Sequence, residues 1–293
     1  MRALDAAAGE RELSAATRLL VISRNAGSMN EKVEAKLRKA FADYTIVDFD
    51  PKEDVSELVS SRARIVVAGG DGTVEFFVRK FADTNHPLGI ISMGTYNNLA
   101  RALKLPSSVD RAIKVARDGH SRAITLGRVN GRIFIEACAI GLFGETISLG
   151  DSAKGMRFGK LAPRLKDVIR ARRFQYEIKG DIEGSGHARS LVFSNTSSIG
   201  SQLQISDGSP KNPYLEFTVH VGHSRTDIAA RAVKAALPRE LAPSESIDQV
   251  FRFRKLEVTT KPTMRVYADN YLVGRTPATI TAELSALKVL LPR

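Results

Sequence analysis

The segment Ile65-Val66-Val67-Ala68-Gly69-Gly70-Asp71-Gly72-Thr73 limits what this chain can fold into more than any other stretch. Four small apolar residues, mostly β-branched, predict a strand buried on both faces, as in a parallel sheet. Three glycines around an aspartate end that strand abruptly. Val74, Phe77, Val78 and Phe81 then repeat at helical spacing. The unit is a strand, a glycine turn and a helix. Glycine lets backbone amides approach a ligand closely, and a helix start presents unpaired N–H groups at the positive end of its dipole. Together these features suit phosphate. A bare strand-to-helix turn with no ligand would need fewer glycines.

The residues around this unit repeat its logic. Thr17–Ser23 reads as a first strand, followed by the polar turn Arg24–Ser28. Glu31–Phe41 reads as an amphipathic helix with Val33, Leu37 and Phe41 on one stripe, and Thr45–Phe49 as a second strand. A helix is expected over Asp54–Arg62, capped by Asp50 or Asp54. After the central unit, Leu88–Met93 is a strand that ends in Gly94-Thr95-Tyr96-Asn97-Asn98. A helix begins near Leu99, and another spans Val109–Asp118. Regular alternation with short turns predicts a doubly wound α/β domain with a mainly parallel sheet. Ligands of such sheets sit beyond the carboxyl ends of the strands. The turns at Asn25–Ser28, Gly69–Thr73 and Gly94–Asn98 all fall on that edge, which points to a nucleotide cleft.

After about residue 123 the pattern changes. Ala123–Val129 and Arg132–Ile140 read as strands joined by Asn130-Gly131, a strong hairpin signal. Strands are also expected at Phe174–Lys179, Ser190–Ser194, Leu215–Val221, Lys255–Thr260, Met264–Ala268 and Leu287–Leu291, with helices at Leu161–Arg172 and Thr226–Leu237. The expected domains are a loose leader at 1–16, an α/β domain at 17–123 and a β-rich sandwich at 124–293. Whether the last strand returns to the first domain is left open.

Composition narrows the partners. Lys and Arg total 44 against 32 Asp and Glu, a formal charge of +12, which suits an anionic partner. Aromatic residues are 6% and Trp is absent, and nothing resembles a zinc finger, an aromatic RNA platform or a basic zipper, so no nucleic-acid partner is expected. The one cysteine, Cys138, lies in an apolar run and reads as a core residue in a reducing compartment. No apolar run has the length of a membrane span and the N-terminus lacks signal-peptide order, so a cytoplasmic location is expected. Leu161, Leu165, Val168 and Ile169, surrounded by Lys160, Arg164, Lys166, Arg170, Arg172 and Arg173, suit either contact with an anionic membrane surface or a helix covering the β domain.

Gly69-Gly70-Asp71-Gly72-Thr73, Pro87–Ile91 and Gly94-Thr95-Tyr96-Asn97 followed by Leu99-Ala100-Arg101 together resemble the diacylglycerol kinase catalytic domain of soluble bacterial lipid kinases, related to sphingosine and ceramide kinases. The first motif alone is shared with NAD kinases and phosphofructokinases. Phe134–Ile147, Gly159–Ala162, Asp269 and Gly274-Arg275-Thr276-Pro277 extend the likeness over nearly the whole chain. The resemblance implies an α/β domain of NAD kinase and diacylglycerol kinase type followed by a β-sandwich. It implies that Asn25, Gly69, Gly70, Asp71, Gly72, Thr73, Gly94, Thr95 and Asn97 hold ATP, and that Asp71 organises Mg2+. Asp269 stands as the candidate base toward a lipid hydroxyl.

This chain departs from the family at three places. Tyr271 occupies the position of a usual glutamate, and a neutral phenol is a poor base at neutral pH. Asn98 stands where aspartate is frequent. Lys211–Leu215 replaces an acidic segment that holds a structural magnesium. The expected function is ATP-dependent transfer of a phosphoryl group to a lipid hydroxyl, with the lipid collected at a membrane surface, the inner one by extension. The alternatives are a catalytically weak nucleotide- or lipid-binding relative and an NAD kinase-like enzyme.

Overall fold

The computed structural model describes residues 18–50, 64–145, 173–199, 203–204, 207–221 and 250–293. The expected leader and the helices expected over Asp54–Arg62, Leu161–Arg172 and Thr226–Leu237 lie outside the described residues. The chain divides into two compact units, one running to Ile124 and including Ser285–Arg293, the other Thr125–Leu284.

The first unit contains β1 (Arg18–Ile22), α1 (Glu31–Ala40), β2 (Thr45–Asp48), β3 (Arg64–Gly69), α2 (Asp71–Phe81), β4 (Pro87–Ser92), α3 (Asn98–Ala102) and α4 (Val109–Asp118). Its strands pair in parallel in the order β2-β1-β3-β4. Ile65, Val66, Val67 and Ala68 are all fully buried, as a strand covered on both faces must be. Leu37 of α1, Phe41 at its C-terminal cap and Ala112 and Ala116 of α4 share one cluster with Leu20, Val66, Ala68 and Ile91. The remaining long helix, α2, rests on β3 and β4 with Val74, Phe77, Val78 and Phe81 buried. Because α2 contributes nothing to the α1–α4 cluster, it covers the opposite face. The start of α1 is set by Asn30, whose side chain accepts from the Val33 amide at 3.0 Å.

From β5 (His120–Val129) onward the described chain is almost all strand: β6 (Arg132–Phe134), β7 (Ala137–Gly141), β8 (Phe174–Gly180), β9 (Gly184–Ala188), β10 (Ser190–Ser194), β11 (Ser198–Ile199), β12 (Leu203–Gln204), β13 (Leu215–His220), β14 (Val250–Phe253), β15 (Lys255–Lys261), β16 (Arg265–Ala268), β17 (Tyr271–Arg275) and β18 (Ala278–Leu291). One antiparallel sheet of the second unit runs β14-β13-β10-β7-β16-β17. Its other sheet pairs β9, β8, β15 and the first residues of β18. Alternate residues of both sheets meet in one core: Phe134, Phe174, Ile178, Leu256, Val258 and Ile280 against Cys138, Ile140, Leu191, Phe193, Phe217 and Val266. The hairpin at Asn130-Gly131 has positive φ at both residues, 47° and 82°, as a two-residue primed turn requires.

Three expectations change. Arg132–Ile140 is two strands, interrupted at Ile135 and Glu136, whose amides leave the ladder for a side chain described below. The last strand reaches back to Ala278, and its final residues pair in parallel with β4 through Lys288 and Val289. The glycine turn is partly helix, because α2 already begins at Asp71. Strands β9, β14 and β17 and the two-residue strands β11 and β12 were not anticipated.

Two consequences of this packing are testable. A methyl group on Gly127 would fall inside the Phe134 ring, so Gly127→Ala is expected to cost about 2–3 kcal/mol in urea unfolding. Burial, and secondarily the Asp269 carboxylate, push the Cys138 thiol well above its ordinary range. Native protein at mildly alkaline pH is expected to leave a thiol reagent unreacted, with one equivalent consumed in concentrated guanidinium. Rapid labelling of the native protein would contradict the buried placement.

Candidate functional site

The carboxyl ends of β1, β3 and β4 each open into a polar turn, and the structure brings the three turns together. At the centre, Gly70 sits extended (φ −75°, ψ 178°) and caps α2 with no side-chain hydrogen bond. Its carbonyl accepts the Val74 amide at 3.0 Å, so the helix is formed from its first turn. The leading amides of Asp71, Gly72 and Thr73 therefore gather at a helix N-terminus that no side chain caps. Gly72 is exposed and Thr73 half-buried.

The second turn lies against this helix start. Asp71 Oδ2 accepts the Tyr96 amide at 3.2 Å. A Cβ on Gly94 would stand 2.5 Å from Asp71 Oδ2 and 2.8 Å from the Asp71 nitrogen. Only glycine allows the two backbones this approach. Asn97 adopts left-handed geometry (φ 49°, ψ 41°). Its amide oxygen accepts the Gly94 N–H at 2.9 Å, and its amide nitrogen donates to the Gly94 carbonyl at 2.8 Å. Its observed bonds thus shape the loop. Thr95 is exposed beside it.

The first turn completes the edge. The Ser28 amide donates to the Met93 carbonyl at 3.0 Å, a Cβ on Gly27 would reach Thr95 Oγ1 at 3.8 Å, and one on Gly70 would reach the Ala26 methyl at 3.9 Å. Asn25 is exposed on this turn. Asn25, Gly69, Gly70, Asp71, Gly72, Thr73, Gly94, Thr95 and Asn97 therefore share one edge of one unit. Two contributors were not foreseen, the Tyr96 amide and the capping role of Gly70. Both are backbone features, and residue type carries little signal for them.

Asp269 lies in the second unit, at positive φ (52°) between β16 and β17, and is only 6% exposed. Its carboxylate accepts the amides of Ile135 (3.0 and 3.2 Å), Glu136 (2.8 Å) and Ala137 (3.3 Å), while its own amide donates to the Ala137 carbonyl at 2.7 Å. From the other side the Asn195 and Thr196 amides donate to the Glu136 carbonyl, and Asn195 Nδ2 donates to the Ile135 carbonyl at 3.0 Å. Residues 135–137 are thus held from both sides, which accounts for the break between β6 and β7. Tyr271, by contrast, is 56% exposed.

Residues 211–215 do not fit the magnesium loop that the resemblance implies. The Pro210 carbonyl accepts the Thr125 amide at 2.7 Å, the Asn212 carbonyl accepts the Thr125 hydroxyl at 2.6 Å, and the Pro213 carbonyl accepts Arg254 Nε at 3.0 Å. Residues 211–215 offer no carboxylate. A guanidinium beside the carbonyls further disfavours a divalent cation.

Residues 20–129 match the model of the diacylglycerol kinase catalytic domain. A Staphylococcus haemolyticus protein provisionally named a lipid kinase is 27% identical over 77% of this chain and 75% of its own length. A diacylglycerol kinase of Staphylococcus epidermidis is 46% identical over 79 residues, 26% of this chain and about a quarter (25%) of that enzyme. Among solved structures, a provisionally named diacylglycerol kinase of Bacillus anthracis covers 94% of this chain and 97% of itself, with a TM-score of 0.70 at 20% identity. An NAD kinase of Archaeoglobus fulgidus, solved with ATP, covers 93% of each chain with a TM-score of 0.51 at 13% identity. The fold, an α/β unit followed by a β-rich unit, is shared with these solved structures. The segment that matches the diacylglycerol kinase catalytic domain model, residues 20–129, contains all three converging turns.

Proposed function

We propose that this protein is an ATP-dependent lipid kinase that transfers the γ-phosphoryl group to a lipid hydroxyl. The observation that carries the reading is the uncapped start of α2 held against the Gly94–Asn97 loop by the Asp71–Tyr96 bond. The names of the relatives support the lipid acceptor, and the ATP complex of the structurally similar NAD kinase supports the donor.

In this reading the amides of Asp71, Gly72 and Thr73 receive phosphate oxygens, and the Thr73 and Thr95 hydroxyls add donors. Asn97 holds the second loop in place for them. Asp71 would hold Mg2+, which supplies charge neutralisation across the phosphates when bound. The lipid oxygen bonds to the γ-phosphorus, the bond from that phosphorus to the β–γ bridging oxygen breaks, and the hydroxyl proton passes to solvent or a nearby base. Most of the acceleration comes from positioning and charge, so the phosphate cradle outweighs any single base. Asp269 is reassigned within the proposal. Its oxygens face three backbone amides, so it acts as a clamp on residues 135–137 rather than as the base. Collection of the lipid at a membrane surface is part of the proposal; no helix among the described residues is long and apolar enough to cross a membrane.

The test is transfer of labelled phosphate from ATP to a panel of diacylglycerol, sphingoid base and ceramide. Labelled lipid is expected, with Asp71→Ala reducing transfer about a hundredfold or more. An unlabelled panel, with ATP still raising the melting temperature, would replace the kinase reading by a nucleotide-binding one. Labelled NADP from NAD would favour the NAD kinase alternative.

Asp269→Asn separates clamp from base. A clamp predicts a loss of about 2 kcal/mol in stability, since bonds to a charged acceptor weaken, with transfer by the folded protein retained. Unchanged stability with turnover lowered about a hundredfold would restore Asp269 as the base.

A further inference from the structure

A second polar feature stands apart from the phosphate cradle and from the Asp269 clamp. Glu216 lies on β13, with Ser194 of β10 and Arg252 of β14 as its cross-strand partners. Leu215 and Phe217 enter the sandwich core, so alternation turns Glu216 to the opposite face of the sheet. There its side chain is almost wholly buried, at 3% exposure. Burying a carboxylate is costly unless it is paired and hydrogen-bonded.

Among the described residues that pairing is incomplete. Arg252 Nε stands 3.8 Å from Glu216 Oε1, beyond hydrogen-bond length. The Arg252 guanidinium lies over the Tyr214 ring, 4.9 Å from its centroid, a cation–π contact that competes for it. Glu216 Oε2 is buried without a hydrogen-bond partner among the described residues. The carboxylate lines an open cleft of about 420 Å³ together with Asp207, Val250, Phe251 and Arg252. Two carboxylates against one guanidinium leave the lining with one net negative charge. Val250, on the same face as Arg252, supplies an apolar edge, while Phe251 turns its ring toward Phe217 and the sandwich core. The volume falls in the range of small-molecule sites and far exceeds the room a bare ion needs. No group of three metal-ligating side chains occurs among the described residues.

We infer that this cleft binds a primary ammonium, with Glu216 as its counter-ion. An ammonium donates up to three hydrogen bonds and supplies the charge Glu216 lacks.

Calorimetric titration of the nucleotide-free protein with octylamine, octanol and magnesium chloride tests the cleft alone. Octylamine is expected to bind roughly tenfold or more tightly than octanol, as a charged hydrogen bond implies. Glu216→Gln, close to isosteric, is expected to abolish that preference while ATP still raises its melting temperature as in the parent. Should Glu216→Gln fail to fold, Asp207→Asn at the exposed rim is expected to weaken octylamine alone. Equal binding of amine and alcohol, binding of neither, an unaltered preference in the variants, or Mg2+ displacing octylamine would each overturn the inference. Phosphate transfer to the lipid panel is a separate readout. Amine preference without transfer keeps the cleft and removes the kinase reading, and transfer without amine preference keeps the kinase and removes the cleft.

Discussion

The first unit is arranged around a distance at which no side chain fits. Gly94 approaches the Asp71 nitrogen and carboxylate so closely that even a methyl group would collide with both. That approach lets the Tyr96 amide reach Asp71, and it places the loop after β4 beside the start of α2. The rest of the unit supports this juxtaposition. Fully buried β3 fixes where the helix starts, β4 in register beside it fixes where the second loop leaves, and Asn97 closes that loop on Gly94. A small error in any of these would break the contact, because interiors packed at crystal-like density transmit displacement rather than absorb it.

The second unit uses the opposite device. It recruits a charged side chain to hold backbone that has left the sheet, where the first unit removes side chains to bring backbones together. Asp269 gathers three consecutive amides, and Asn195 and Thr196 take the carbonyls on the other side. A carboxylate so deeply placed is tolerated because its oxygens are hydrogen-bonded. Among the described residues Glu216 lacks such a shell.

Much of the architecture was legible because it rests on burial and turn chemistry. The apolar runs of β1, β3 and β4, the helical stripe of α2 and the Asn130-Gly131 turn follow directly from residue type. Strand β9 was invisible because Gly184-Ser185-Gly186-His187-Ala188 has neither alternation nor β-branching. It is a strand because β8 offers it a ladder. The interruption at Ile135 and Glu136 was hidden for a related reason, since the residue that causes it lies more than a hundred and thirty positions away. The site was legible as a set of glycines and polar residues, but not in the division of labour among them. Asn97 reads as a ligand-binding amide in sequence and forms a loop staple in the structure. Glu216 reads as one more alternating polar residue, and only the sheet reveals that its side of the strand is covered.

The fourteen-residue strand β18 belongs to both units. Its first residues pair with β15, and its last pair with β4. This arrangement bears on the order of events during synthesis. The edge of β4 receives its neighbour only from residues beyond Ser285, so the sheet that carries the phosphate turns stays open on that side while the whole second unit is being made. An exposed strand edge is a template for wrong pairing. The nascent first unit therefore has a built-in interval of vulnerability whose duration is set by translation of the second unit, and the same last strand that joins the two units chemically also joins them in time.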